Sequence, residues 1–76
     1  MEDNTDRPGG DYRTVPLLQR LPEICQSSCR GDERCKAWTY VRPGVQGPFA
    51  LCYLKDQTPA PRPSGCCVSG LKIPYP

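Results

Sequence analysis

Residues 25–55 read CQSSCRGDERCKAWTYVRPGVQGPFALCYLK, and four of the chain's six cysteines fall inside this stretch. Its start completes a helical segment, PEICQSSCR, running from Pro22 to Arg30. Pro22 suits a first helical turn, where its missing N–H costs no hydrogen bond, and Glu23 sits well at the positive end. Ile24, Cys25, Ser28 and Cys29 fall at spacings that share one face, and Gly31 follows Arg30 as a stop. A helix this short is held by packing and not by propensity. KAWTYVR, residues 36–42, is the strongest strand signal, with Trp38 and Tyr40 toward one face and Ala37, Thr39 and Val41 toward the other. After a glycine- and proline-rich loop at 43–48, FALCYLK (49–55) alternates again. Phe49, Leu51 and Tyr53 oppose Ala50, Cys52 and Leu54, so the two runs predict a hairpin with a long connection.

Working outward, the first ten residues, MEDNTDRPGG, are charged and glycine-rich with no apolar period, and read as a mobile leader. DYRTVPLL, residues 11–18, reads as an extended segment, an edge strand because Pro16 cannot donate to a ladder. TPAPRP (58–63) is stiff and extended, and Val68 to Ile73 supplies a last strand before Pro74-Tyr75-Pro76. The inventory is one helix and four or five short strands, an α+β plan forming a single domain over residues 11–76.

Composition explains the cysteines. Hydrophobic residues make up 37% of 76, and ten prolines and seven glycines leave much of the chain as loop. Apolar burial at about 25 cal/mol per Å² barely offsets ordering entropy at this size, so cross-links are the expected remedy. Cysteine used this way belongs to an oxidising compartment. Met1 to Asp6 is acidic and polar and is no signal peptide, so export predicts a signal upstream in a longer protein. No apolar run reaches the ~18–20 residues of a membrane span. A net charge of +2 and a pI near 8.3, with both signs interspersed, give no nucleic-acid footprint.

The absence of histidine removes the commonest general base and metal ligand. Serines therefore lack a triad partner, and no enzyme or cofactor is expected. Structural zinc calls for two Cys-x(2–4)-Cys knuckles; Cys25 and Cys29 make one, and adjacent Cys66 and Cys67 are a poor second. Six cysteines allow fifteen full pairings. The segment between Cys29 and Cys35, RGDER, is short enough for a bridge closing the turn, and Cys25 can then reach Cys52. Such bridges, closing loops of about 7 and 28 residues, are worth about 2.4 and 3.6 kcal/mol in the loop-entropy model. That leaves Cys66 and Cys67 as a vicinal bridge, as two free buried thiols, or as partners in a different pairing scheme.

From Cys25 to Lys55 the chain resembles the PAN/apple domain family. A helix carries Cys-x3-Cys (Cys25, Cys29), a third cysteine, Cys35, follows a short turn, and an aromatic strand leads to CYLK at Cys52–Lys55. SGLK at Ser69–Lys72 is similar to the family's final strand, and the match covers residues 11–73. DRPGGDY, AWTYVRPGVQGP and CCVSG are similar to the bacterial branch, whose domains occur singly or on larger exported proteins, macroglobulin-like ones included. The resemblance implies a small disulfide-stapled fold with a twisted antiparallel sheet of about five strands cradling one helix, bridged Cys25–Cys52 and Cys29–Cys35. Many apple domains also tie the two chain ends with a disulfide, for which no cysteine precedes Cys25 here.

The implied function is non-catalytic binding of protein or carbohydrate by a monomeric module that is secreted, periplasmic or on the cell surface. Trp38 reads as core. Ligand contact is expected from the 42–49 loop, through Arg42, Val45 and Phe49, and from Tyr53, Lys55 and Arg62. Two alternatives stand beside this: a thiol–disulfide role for Cys66 and Cys67, and a small secreted inhibitor-like scaffold.

Overall fold

The computed structural model describes residues 1–72. Its order is β1 (Glu2–Asp6), β2 (Asp11–Leu17), α1 (Pro22–Arg30), β3 (Ala37–Val41), β4 (Ala50–Lys55) and β5 (Arg62–Leu71). The strands form one antiparallel sheet in the order β1-β5-β3-β4-β2, with the helix packed on β3 and β4. The expected α+β plan of one helix on five strands is the observed one. Ile73 and the Pro-Tyr-Pro end lie outside the described residues.

The helix begins with Pro22 and stops at Gly31, whose N–H donates to the Ser27 carbonyl at 3.0 Å. Gly31 keeps right-handed backbone (φ −83°), so it ends the helix without a left-handed turn. Cys25 and Cys29 face inward, where Cys25 bridges to Cys52 and Cys29 to Cys35 with Cα–Cα distances of 5.3 and 5.2 Å. Around these sulfurs lie Trp38, Tyr40, Leu54, Val68 and Leu17, the core between helix and sheet. β2 is an edge strand, as Pro16 requires.

Two parts of the chain depart from expectation. Residues 1–10, read as a mobile leader, contain β1, which pairs with β5 from Glu2↔Ser69 to Asp6↔Arg62. EDNTD has no apolar alternation; the free edge of β5 recruits its backbone, and side chains lock it. Arg7 donates through Nε and Nη2 to both Glu2 carboxylate oxygens at 2.8 and 2.7 Å, and through Nη1 to the Pro59 carbonyl at 2.7 Å. This pairing joins the first strand of the chain to the last described one. β1 thus belongs to the same sheet as the strands that follow residue 11.

The second departure is β5, expected from Val68 but running from Arg62. Between two paired positions β1 advances two residues, Thr5 to Asp3, while β5 advances five, Pro63 to Val68. The surplus is a bulge carrying Gly65, Cys66 and Cys67, and the bulged strand bends there. Asn4, with φ +52°, takes up the irregularity on the β1 side.

Candidate functional site

All five residues of β3 are buried, which alternation alone does not predict. Trp38 and Tyr40 meet the helix side, so Thr39 and Val41 must be covered from the other face. That cover comes from the β1–β2 link. The two strands are opposite edges, which a flat sheet would hold about 19 Å apart at ~4.8 Å per strand. Only Arg7–Gly10 separates them, a reach of about 17 Å when fully extended. Gly9 and Gly10 have φ of +102° and +74°, so the link turns and its reach is shorter still. The sheet must therefore curl, and it does so over the face away from the helix.

The resulting cleft has a volume of about 220 Å³. Its floor is Thr39 and Val41 of β3 with Tyr53 and Lys55 of β4. Cys66 and Cys67 of β5, Asp6 at the end of β1, Gly9 of the link, Asp11 of β2 and Gln46 of the β3–β4 loop complete its lining. Its polar groups are largely engaged. Lys55 is only 2% exposed and pairs with the Asp11 carboxylate, and its Nζ also donates to the Gly9 carbonyl at 3.2 Å. The Tyr53 hydroxyl donates to Gln46 Oε1, which fixes the loop against the strand. Thr39 donates to Ser69 Oγ (2.8 Å), because the Ser69 hydroxyl itself donates to the Thr5 carbonyl at 2.8 Å. That relay ties β3, β5 and β1 together behind the cleft. Asp6 and Tyr53 also line it, with the Lys55 ammonium 5.9 Å from the centre of the Tyr53 ring.

Of the residues expected to touch ligand, Tyr53 and Lys55 are brought together here. Lys55 differs from a solvated strand-end lysine, since its ammonium is buried and holds the link in place. Arg42 clamps the bulge: its backbone N–H donates to the Cys66 carbonyl at 2.9 Å and its guanidinium to the Gly65 carbonyl. Val45 and Phe49 are each 52% exposed on the loop rim, and Arg62 is exposed at the start of β5; none lines the cleft. The sequence reading missed Thr39, Gln46 and the Asp6–Asp11 stretch. Thr39 was within reach, because the period of two places it with Tyr53 and Lys55 on the face opposite Trp38. Asp6 had no such signal.

A second, shallower groove of about 580 Å³ runs between helix and β2 past Arg13, Ser28 and Asp32. The Arg34 backbone N–H, donating at 3.0 Å, holds the Asp32 carboxyl below its usual range, with Tyr12 adding to the effect. Tyr12, under the Arg34 guanidinium at 4.5 Å, makes no hydrogen bond of ordinary geometry. Burial first, then the nearby Asp32 carboxylate, push its phenol up to about 12. No helix among the described residues is long and apolar enough to cross a membrane.

A five-stranded antiparallel sheet with one cystine-stapled helix on one face and a small polar cleft on the other defines a small α+β module. The family model for the PAN domain matches residues 5–55, and the chain belongs to that family. The match begins inside β1, consistent with a domain that includes it. No curated protein matches the chain closely enough to count as a relative.

Proposed function

We propose that this PAN domain is a non-catalytic binding module for a protein or carbohydrate ligand, carried outside the cytoplasm by a larger exported protein. PAN domains are generally binding modules without catalytic activity. The observation that carries the reading is the cleft, concave and polar, with Tyr53 and Asp6 among its lining residues. At about 220 Å³ it lies below the ~300–1,000 Å³ of drug-sized ligand pockets and suits one sugar ring or one side chain of a larger ligand. Val45 and Phe49 on the neighbouring loop give the rim an apolar contact for the rest of that ligand. Disulfide dependence supports the extracytoplasmic setting.

The test is a glycan array and a pull-down with the domain, followed by titration of any ligand found. Tyr53→Ala is expected to weaken binding tenfold or more, and Val45→Ala with Phe49→Ala to weaken it severalfold. A ligand that binds all variants as it binds the parent domain refutes the placement of the site.

A further inference from the structure

The three bridges of this domain are not equivalent. Cys25–Cys52 and Cys29–Cys35 join sulfurs of residues no more than 1% exposed, within the core that holds the helix. Cys66 and Cys67 are bonded to each other as neighbours, with a Cα–Cα distance of 3.7 Å against a usual disulfide range of about 4.4–6.8 Å. Cys67 is 1% exposed, but Cys66 is only half-buried, the one cysteine of the six that is not fully buried. Both line the cleft.

A structural role for this bridge has little to act on. A disulfide stabilises chiefly by closing a loop of the unfolded chain, and one between neighbours closes nothing beyond a single peptide link. The bulge in β5 is meanwhile held without it, by the Arg42 hydrogen bonds to the carbonyls of Gly65 and Cys66. One contact bears on the sulfur itself: the Ser64 hydroxyl donates to Cys66 Sγ at 3.2 Å. A donor placed there favours a thiolate on Cys66.

We propose that the Cys66–Cys67 pair is a thiol–disulfide exchange site, with Cys66 Sγ the sulfur attacked by a dithiol reductant. One thiolate of the dithiol bonds to Cys66 Sγ. The Cys66–Cys67 bond breaks, its electron pair leaves on Cys67 Sγ, and that sulfur takes a proton from water. The second thiolate of the reductant then attacks the reductant's own sulfur in the mixed disulfide. A cyclic disulfide leaves, and Cys66 departs as a thiolate that is protonated in turn. Two electrons and two protons pass from dithiol to the cysteine pair, and part of the cleft lining changes from a bridged ring to two thiols. The helix-bearing bridges take no part. The inference stands whether or not the cleft holds a ligand.

The experiment is a graded dithiothreitol titration of the folded domain at neutral pH, quenched with N-ethylmaleimide and mapped by peptide mass spectrometry. Cys66 and Cys67 are expected to be labelled at a dithiothreitol concentration at least tenfold below that needed for Cys25, Cys29, Cys35 or Cys52. The thermal transition should be retained at that step. The double variant Cys66→Ser, Cys67→Ser is expected to lose the low-concentration step and still unfold cooperatively. Labelling of Cys66 and Cys67 before any reductant, their reduction together with the other four, or failure of the double variant to fold each overturns the proposal.

Discussion

Gly70 faces Trp38 across the β3–β5 pairing, and the two are closer than any side chain permits. A Cβ at position 70 would lie 2.8 Å from Cε2 and Cζ2 of the indole and 2.9 Å from Nε1. Relaxed carbon–carbon contacts need about 3.5–4.0 Å, so the ring would have to retreat by about 0.7 Å or more. It has nowhere to go: Trp38 is 1% exposed, and the void beside it, bordered by Gln26 and Arg30, measures only about 10 Å³. Overpacking of this kind costs about 1–3 kcal/mol. Replacing glycine in a strand returns about 0.5–1 kcal/mol of that through the unfolded chain, since Gly70 does not occupy the positive-φ region. Taking the middle of each range, the expected net loss from Gly70→Ala is about 1 kcal/mol, or a Tm lowered by about 4–8 °C for a domain of this size. Thermal unfolding with the disulfides intact measures it. Gly65→Ala is the control, because a Cβ there meets nothing within 4 Å and should leave Tm unlowered or raise it by a few degrees. Placed in a Trp38→Leu background, Gly70→Ala should cost less than it does alone. If Gly70→Ala melts with the parent domain, or if its cost is the same in both backgrounds, the steric argument is wrong.

Removing Asp11 strands a buried ammonium, whereas removing Lys55 leaves a carboxylate that is 41% exposed and can rehydrate. Asp11→Ala is thus expected to cost about 2–3 kcal/mol in denaturant titrations and Lys55→Met under about 1 kcal/mol; equal costs would refute the asymmetry. Arg7→Ala removes three charge-assisted hydrogen bonds at once and is expected to cost about 2–3 kcal/mol, with faster hydrogen exchange in β1 and β5 and unchanged exchange in α1. Acid acts through Glu2, which its hydrogen bond from Arg7 holds below 4.5, and through Asp32, held below 3.8. Both favour the charged form in the fold, so their contribution is complete above those values and is lost as pH falls through the lowered ones. Tyr12 has the opposite sign: its phenol, raised from 10 to about 12, stabilises the fold fully below pH 10 and loses that contribution as pH rises to about 12. Melting curves against pH check both limbs, and Tyr12→Phe should flatten the alkaline one.

What the sequence made legible follows from which interactions are local. The helix, with its bounds at Pro22 and Arg30, was readable because proline, glycine and the spacing of Cys25 and Cys29 all act within a few residues. The β3–β4 hairpin was readable because period-two alternation in AWTYV and ALCYLK reports a face. The first strand was not, because Glu2–Asp6 pairs through its backbone with a strand some sixty residues away, and backbone pairing leaves no pattern in side chains. The β5 bulge was hidden for the same reason: its three extra residues exist only relative to the register of β1. With both hidden, the cleft could be read from one side only. Tyr53 and Lys55, named from the sequence as ligand-contact candidates, line it, while Asp6, Gly9 and Cys67 lie on parts whose placement depends on long-range pairing.

The two faces of β3 are held by different means, and that difference bears on how such a module works. On the helix side the fold is fixed covalently, by Cys25–Cys52 and Cys29–Cys35, around Trp38 and Leu54. On the cleft side it is fixed by polar contacts: Arg7 with Glu2, Lys55 with Asp11, and the Thr39–Ser69–Thr5 relay. Polar clasps of this kind are individually worth about 1–3 kcal/mol and can open one at a time, whereas the bridges cannot open without chemistry. A ligand bound in the cleft as proposed would meet the yielding face of a domain whose other face stays rigid. The vicinal cysteines are the one covalent link on the yielding side, and they join only each other. Any rearrangement of the cleft can thus proceed without disturbing the helix, because no bridge connects the two faces.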